Sequence, residues 1–187
     1  MYPANFEYLK PSGVTEAIEL LRRHGDDAKL LAGGQSLVPM MKLRVARPKY
    51  LIDIHRLADL NYIREDAGQI RCGAMTRHIQ IEESALIRQK LLMMAEAASE
   101  IGDVQVRNRG TIGGGLVEAD PSGDYGPVVL ALDAQLKCVG PKGERQTVRL
   151  EQTGPGHYEA RFPTKEVGAY LLNLMDVKDG QVRGSQV

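Results

Sequence analysis

The chain has 187 residues, 43% of them hydrophobic, which suits one large domain or two small ones around a shared ligand. Its 24 basic and 24 acidic residues balance, so charge gives no reason to expect nucleic acid or an anionic membrane as partner. No apolar run nears the ~20 residues of a membrane span, and no basic and then apolar leader opens the chain. Cys72 and Cys138 form no CxxC pair, and His24, His55, His78 and His157 show no ligand spacing. No metal site is therefore expected, and the protein reads as cytoplasmic with reduced thiols.

In chain order, residues 3–11 read as extended. Residues 14–23 carry Val14, Ala17, Ile18 and Leu21 at helical spacing, with Ser12 or Thr15 as cap and Gly25 as stop. Residues 28–32 predict a short buried strand, residues 36–44 a helical turn ended before Pro48, and residues 50–54 another strand. Residues 1–55 therefore form a small β/α unit. From residue 56, segments 61–64 and 69–73 alternate as a hairpin. Thr76 is the expected cap of a helix over 77–83, and residues 84–101, free of Gly and Pro, predict one further helix. Residues 126–131 are an apolar run of small residues. Residues 134–139 and 144–150 predict strands joined by a turn at 140–143. Beyond residue 150 the pattern becomes β-only, with strands over 157–162 and 168–175 and a hairpin over 177–187 around Asp179-Gly180.

Two glycine-rich turns carry the chemistry. Leu31 leads into Ala32-Gly33-Gly34-Gln35-Ser36, which Leu37 follows, and Arg109-Gly110 leads into Thr111-Ile112-Gly113-Gly114-Gly115. Paired glycines permit φ > 0 and close approach of the backbone to a ligand. Successive amides in such turns suit phosphate oxygens, and Ser36 and Thr111 add hydroxyl donors. Two such turns point to one diphosphate held from both sides. Neither fits GxGxxG or GxxxxGK[ST], so Rossmann and P-loop readings are poor. Asp120-Pro121-Ser122-Gly123-Asp124 reads either as an Asx turn with Asp124 capping a helix, or with Asp124 on ligand hydroxyls. Arg107 and Arg109 are solvated, interfacial or phosphate-neutralising. His78 reads as structural. Asp53 and His55 are not expected to pair, because residues alternate along a strand. No nucleophile–base or paired-carboxylate constellation stands out, so any chemistry belongs to a cofactor.

These residues resemble the flavoprotein subunit of molybdenum hydroxylases, of the carbon monoxide dehydrogenase medium-subunit and xanthine dehydrogenase type. The resemblance rests on Ala32 to Ser36 with Leu37 to Arg44 behind it, and on Gln105-Val106-Arg107-Asn108-Arg109-Gly110-Thr111-Ile112-Gly113-Gly114. Asp120-Pro121 and Asp124 are in register, and Pro3 to Tyr8 and Cys72 to Thr76 are similar too. It runs from residue 1 to about 150. It implies an α+β, vanillyl-alcohol-oxidase-like (PCMH-type) FAD fold. An N-terminal FAD-binding subdomain would span 1–55 and a middle one 56–150. The tail 151–187 would be atypical and the family's C-terminal domain absent. It implies FAD as cofactor, with Leu31 to Leu37 and Gly110 to Gly115 around the diphosphate. Ile101 would lie near the adenine, Asp124 would hydrogen-bond a sugar or ribityl hydroxyl, and Asp120 would be a further cofactor-binding residue. It implies a [2Fe–2S] small subunit and a molybdopterin large subunit as partners, with FAD passing electrons to an external acceptor. Gly115 departs from the Asn or Ser frequent in the family.

Three functions compete on this reading. The first is the FAD-binding electron-transfer subunit of an oxidoreductase. The second is an apo interaction module of the same fold. The third is a nucleotide-binding or transferase domain that holds another diphosphate.

Overall fold

The computed structural model describes residues 2–120, 122–139, 145–149, 151–154, 157–159 and 171–175. The turn expected at 140–143 and the hairpin expected over 177–187 lie outside the described residues, as does much of the strand expected over 157–162.

The N-terminal unit is a three-stranded parallel sheet with helices. Strand β1 (Glu7–Leu9) is followed by helix α1 (Val14–His24), which buries Ala17, Ile18 and Leu21 along one stripe. Neither Ser12 nor Thr15 caps it. Gly13 holds the N-cap position, and Ser12 donates from its amide and hydroxyl to Glu16 Oε2 at 2.7 and 2.6 Å. The first-turn carboxylate thus ties down the residue before the helix. Gly25, at φ +52°, closes α1 by donating to the Leu21 carbonyl. Strand β2 (Ala28–Leu31), helix α2 (Leu37–Lys42) and strand β3 (Tyr50–Asp53) follow. β3 lies between β1 and β2 and is parallel to both, with Leu31 in register with Asp53. Helix α2 supplies the crossover that parallel neighbours require. The core of this unit joins Ala17, Leu21, Ala28 and Ile52 to Leu57, Leu60 and Met75, so the next segment is already part of it.

The second unit begins with the hairpin β4 (Ile63–Asp66) and β5 (Gln69–Cys72). Six helices follow: α3 (His78–Glu83), α4 (Ala85–Lys90), α5 (Leu92–Glu100), α6 (Val104–Arg107), α7 (Ile112–Glu118) and α8 (Tyr125–Ala131). Strands β6 (Gln135–Val139), β7 (Arg145–Arg149), β8 (Glu151–Gly154), β9 (His157–Glu159) and β10 (Leu171–Met175) complete the described chain. The main sheet runs β4-β5-β10-β6-β7, every neighbour antiparallel, and β8 pairs with β9 apart from it. Ile81, Ile87, Met94, Ala98, Ile112, Val129, Leu136 and Cys138 bury against one another between helices and sheet.

The α+β architecture agrees with the expected fold class, and three further local expectations need correction. The single helix expected over 84–101 is two, because Leu91 (φ −136°, ψ 54°) leaves the helical region. Absence of Gly and Pro permits a long helix without dictating one, and Leu91 packs against the core instead. Thr76 is not a cap: it is fully buried and donates to the Tyr62 carbonyl at 2.9 Å, while Arg77 starts α3 with its amide on Gln80 Oε1. The apolar run at 126–131 is helical, within α8, in keeping with a helix start at Asp124. The tail, expected to be an atypical β-only extension, contributes β10 to the middle of the main sheet, between β5 and β6.

Candidate functional site

The first glycine segment is an open turn between β2 and α2. Gly34 needs to be glycine twice over: its φ is +73°, and a Cβ would meet Leu31 Cδ1 and Val38 Cγ2, both at 3.1 Å. Gln35 Nε2 donates to the Gly33 carbonyl at 3.2 Å and closes the bend. The Gly34 and Ser36 carbonyls accept from Val38 and Met40 as α2 begins. Among the described residues, the amides of Gly33, Gly34, Gln35 and Ser36 have no backbone acceptor. Gln35 and Ser36 are exposed, and Ser36 holds the N-cap position of α2 without a side-chain cap bond.

The second glycine segment is the start of a helix rather than a turn through positive φ. Thr111 (φ −124°, ψ 150°) is the N-cap of α7, and its Oγ1 accepts from the Gly114 amide at 3.2 Å. None of Gly110, Gly113, Gly114 and Gly115 has positive φ. Their surroundings are already bonded. The Ile112 amide donates to the Thr76 carbonyl and the Gly113 amide to the Ala74 carbonyl, both at 2.9 Å, and the Gly115 amide to the Thr111 carbonyl at 3.0 Å. The His78 amide donates to the Gly110 carbonyl at 3.1 Å. Here glycine serves packing. A Cβ at Gly113 would stand 2.6 Å from the Ala74 carbonyl oxygen, and one at Gly110 2.5 Å from His78 Nε2.

The two segments meet. A Cβ at Gly33 would overlap the Arg109 carbonyl oxygen and lie 2.7 Å from Gly110 Cα, and one at Gly114 would sit 3.9 Å from Ala32 Cβ. Residues 32–36 and 110–115 are therefore in contact, and the surface along their junction is the candidate cleft. One segment carries amides without a backbone acceptor, and the other is a helix start with few side chains.

The remaining candidates fall around it. Leu31 packs over Gly34, and Leu37 is half-buried at the start of α2. Ile112 is fully buried in the core, so only its backbone belongs to the cleft. Ile101 is half-buried at the end of α5. The Asp120 carboxylate accepts from the Ser122 amide and hydroxyl at 2.9 and 2.7 Å, bonds that hold it below the usual carboxylate range. That is the expected Asx turn. Asp124 stands before α8, exposed and without a cap bond, so its carboxylate is open to a ligand hydroxyl. Arg107 is engaged with protein, in a mostly buried ion pair with Glu82 at 3.0 Å and on the Ile101 and Gly102 carbonyls. Arg109 is exposed beside the cleft.

Two groupings escaped the sequence reading. Asp53 and His55 do pair, with Nδ1 2.7 Å from the carboxylate and the His55 amide on Asp53 Oδ1 at 3.0 Å, and the Tyr8 hydroxyl donates to the same carboxylate. His55 lies in the turn just after β3, where the bend brings its amide and ring back to the Asp53 carboxylate, so strand alternation does not apply to it. Burial pushes the Asp53 carboxyl up, and the hydrogen bonds from Tyr8 and His55 pull it below its ordinary value. The second grouping is His78, buried with Nδ1 3.2 Å from the Tyr125 hydroxyl.

The family described as the FAD binding domain in molybdopterin dehydrogenase matches residues 4–167, past the point near 150 where the resemblance was expected to end. The carbon monoxide dehydrogenase medium chain of Hydrogenophaga pseudoflava is 45% identical over 167 residues, covering 89% of this chain and 58% of that one. The xanthine dehydrogenase FAD-binding subunit of Escherichia coli O157:H7 is 33% identical over 151 residues, 80% of this chain and 51% of that one. A solved carbon monoxide dehydrogenase from Hydrogenophaga pseudoflava, lacking the Mo-pyranopterin moiety, superposes with a TM-score of 0.81 at 39% identity. The match covers 96% of this chain and 62% of that one. The chain thus spans a little over half the length of the relatives it matches.

Proposed function

The chain belongs to the family of FAD binding domains of molybdopterin dehydrogenases, and from that premise we propose that it is the FAD-holding part of an electron-transfer subunit of a molybdenum hydroxylase. In this reading the amides of Gly33, Gly34, Gln35 and Ser36 donate to the diphosphate, with the Ser36 hydroxyl beside them. Thr111 to Gly115 present a surface with almost no side chains, against which the cofactor lies close. Asp124 accepts from a sugar or ribityl hydroxyl, and Ile101 packs beside the adenine. When bound, FAD supplies the redox chemistry, taking electrons from a [2Fe–2S] subunit served by a molybdopterin subunit and passing them to an external acceptor. The holoenzyme works in the cytoplasm, and its substrate is set by the molybdopterin subunit.

One observation carries the reading: the two glycine segments close on each other while one of them keeps its amides open. The test is the visible spectrum of the purified chain before and after addition of FAD, followed by desalting. Flavin bands retained near one per chain are expected. A chain that takes up no flavin overturns the proposal and favours an apo interaction module. A chain that binds another diphosphate without flavin favours the third reading.

A further inference from the structure

Beneath the second glycine segment lies a buried pair that the cleft itself does not use. His78 is 5% exposed and Tyr125 3%, with Nδ1 of the histidine 3.2 Å from the tyrosine hydroxyl and the ring centroids 5.4 Å apart. Each partner touches one end of the segment. The His78 ring lies against Gly110, where a Cβ would come 2.5 Å from Nε2 and 2.7 Å from Cδ2. The Tyr125 ring lies against Gly115, with Cδ2 3.7 Å from the Cβ position. The His78 amide also holds the Gly110 carbonyl at 3.1 Å. Tyr125 directly follows Asp124, so its packing anchors the backbone from which that carboxylate projects.

We propose that His78 and Tyr125 are positioning residues for FAD, a linked pair that sets the two ends of the second glycine segment, and Asp124 with them, in the arrangement that admits the cofactor. This rests on the FAD reading of the cleft. Burial pushes the His78 imidazole down to about 4, so the ring is neutral at ordinary pH and packs without a charge beneath the segment. Burial likewise raises the Tyr125 hydroxyl, which stays protonated and able to donate. The pair spans α3 and α8. Its geometry therefore reaches the cleft from behind rather than through the ligand.

The test is a double-mutant cycle on the full chain, with FAD affinity read by quenching of flavin fluorescence and the melting temperature of each apo-protein alongside. Gly110→Ala drives a methyl into the His78 ring and is expected to weaken FAD binding about tenfold or more. His78→Ala removes the ring and is expected to weaken it by a similar factor. The double variant is expected to bind no worse than the weaker single, because the new methyl enters the space that the imidazole leaves. Independent losses that multiply in the double variant overturn the proposal. Tyr125→Phe keeps the ring against Gly115 and deletes only the hydroxyl. It is expected to weaken FAD about fivefold, with a modest fall in the apo melting temperature as the buried His78 nitrogen loses its partner. A lowered melting temperature with wild-type FAD affinity makes the pair merely structural and also overturns the proposal. If the wild-type chain takes up no FAD at all, the reading of the cleft fails first and this inference falls with it.

Discussion

The two glycine segments look alike in sequence and differ in structure. Each couples a glycine pair to a hydroxyl residue, yet the first is an open turn with unbonded amides and the second is the capped first turn of a helix. In the first segment only Gly34 needs glycine's torsional freedom, while Gly33 needs glycine because the Arg109 carbonyl occupies the place of a Cβ. In the second no glycine has positive φ; Gly110, Gly113 and Gly114 are small because His78, Ala74 and Thr111 crowd them, while Gly115 has ordinary room. The lesson is one of division: in the proposed site one segment offers donors and the other offers proximity. The largest test of that division is Gly33→Val. Its side chain would force the segments apart, so loss of FAD should come with a stability loss of about 3 kcal/mol, measured by denaturant unfolding. A stable variant that merely loses FAD would mean that the segments meet less tightly than described.

Gly34→Ala sharpens the comparison from the other side. The cost of an L-residue at φ +73° is about 1–2 kcal/mol, and the methyl adds contacts at 3.1 Å with Leu31 and Val38. The expected result is a measurable drop in melting temperature with weakened FAD binding. The corresponding Gly115→Ala, whose Cβ would have only the Tyr125 ring at 3.7 Å, should leave stability unchanged or slightly raised, since Ala is the better helix former.

What the sequence made legible was local. The spacing of Ala17, Ile18 and Leu21 gave α1, the apolar runs gave β2 and β3, and alternation gave the β4–β5 hairpin. The helical nature of the second segment was hidden because three successive glycines are poor helix formers. Its signal was Thr111 in the N-cap position, three residues before the amide that it receives. The place of β10 was illegible for a different reason. Its partners β5 and β6 are distant in sequence, and no local period reports which gap in a sheet a late strand fills. His78 and Tyr125 were hidden likewise, since their pairing exists only once α3 and α8 pack on the same side of the second segment. Asp53 and His55 were misjudged because the strand ends at Asp53, and the turn after it, not strand alternation, sets where His55 points.

The smallest effects separate the two hydroxyls. Thr111 Oγ1 already serves the fold by capping α7 in a buried setting, 3% exposed. Thr111→Val should therefore cost about 1 kcal/mol of stability through loss of the cap, with Thr111→Ser restoring most of it. Ser36 stands at the equivalent position of α2, exposed and without a cap bond. Ser36→Ala should leave the apo-protein within about 0.5 kcal/mol of wild type, while FAD affinity falls about threefold for one lost hydrogen bond to the diphosphate. If the two substitutions instead behave alike, each costing stability and neither affecting FAD, then the first turn is held by its hydroxyl as the second is. The open amides of residues 33–36 would then have to account for FAD affinity alone.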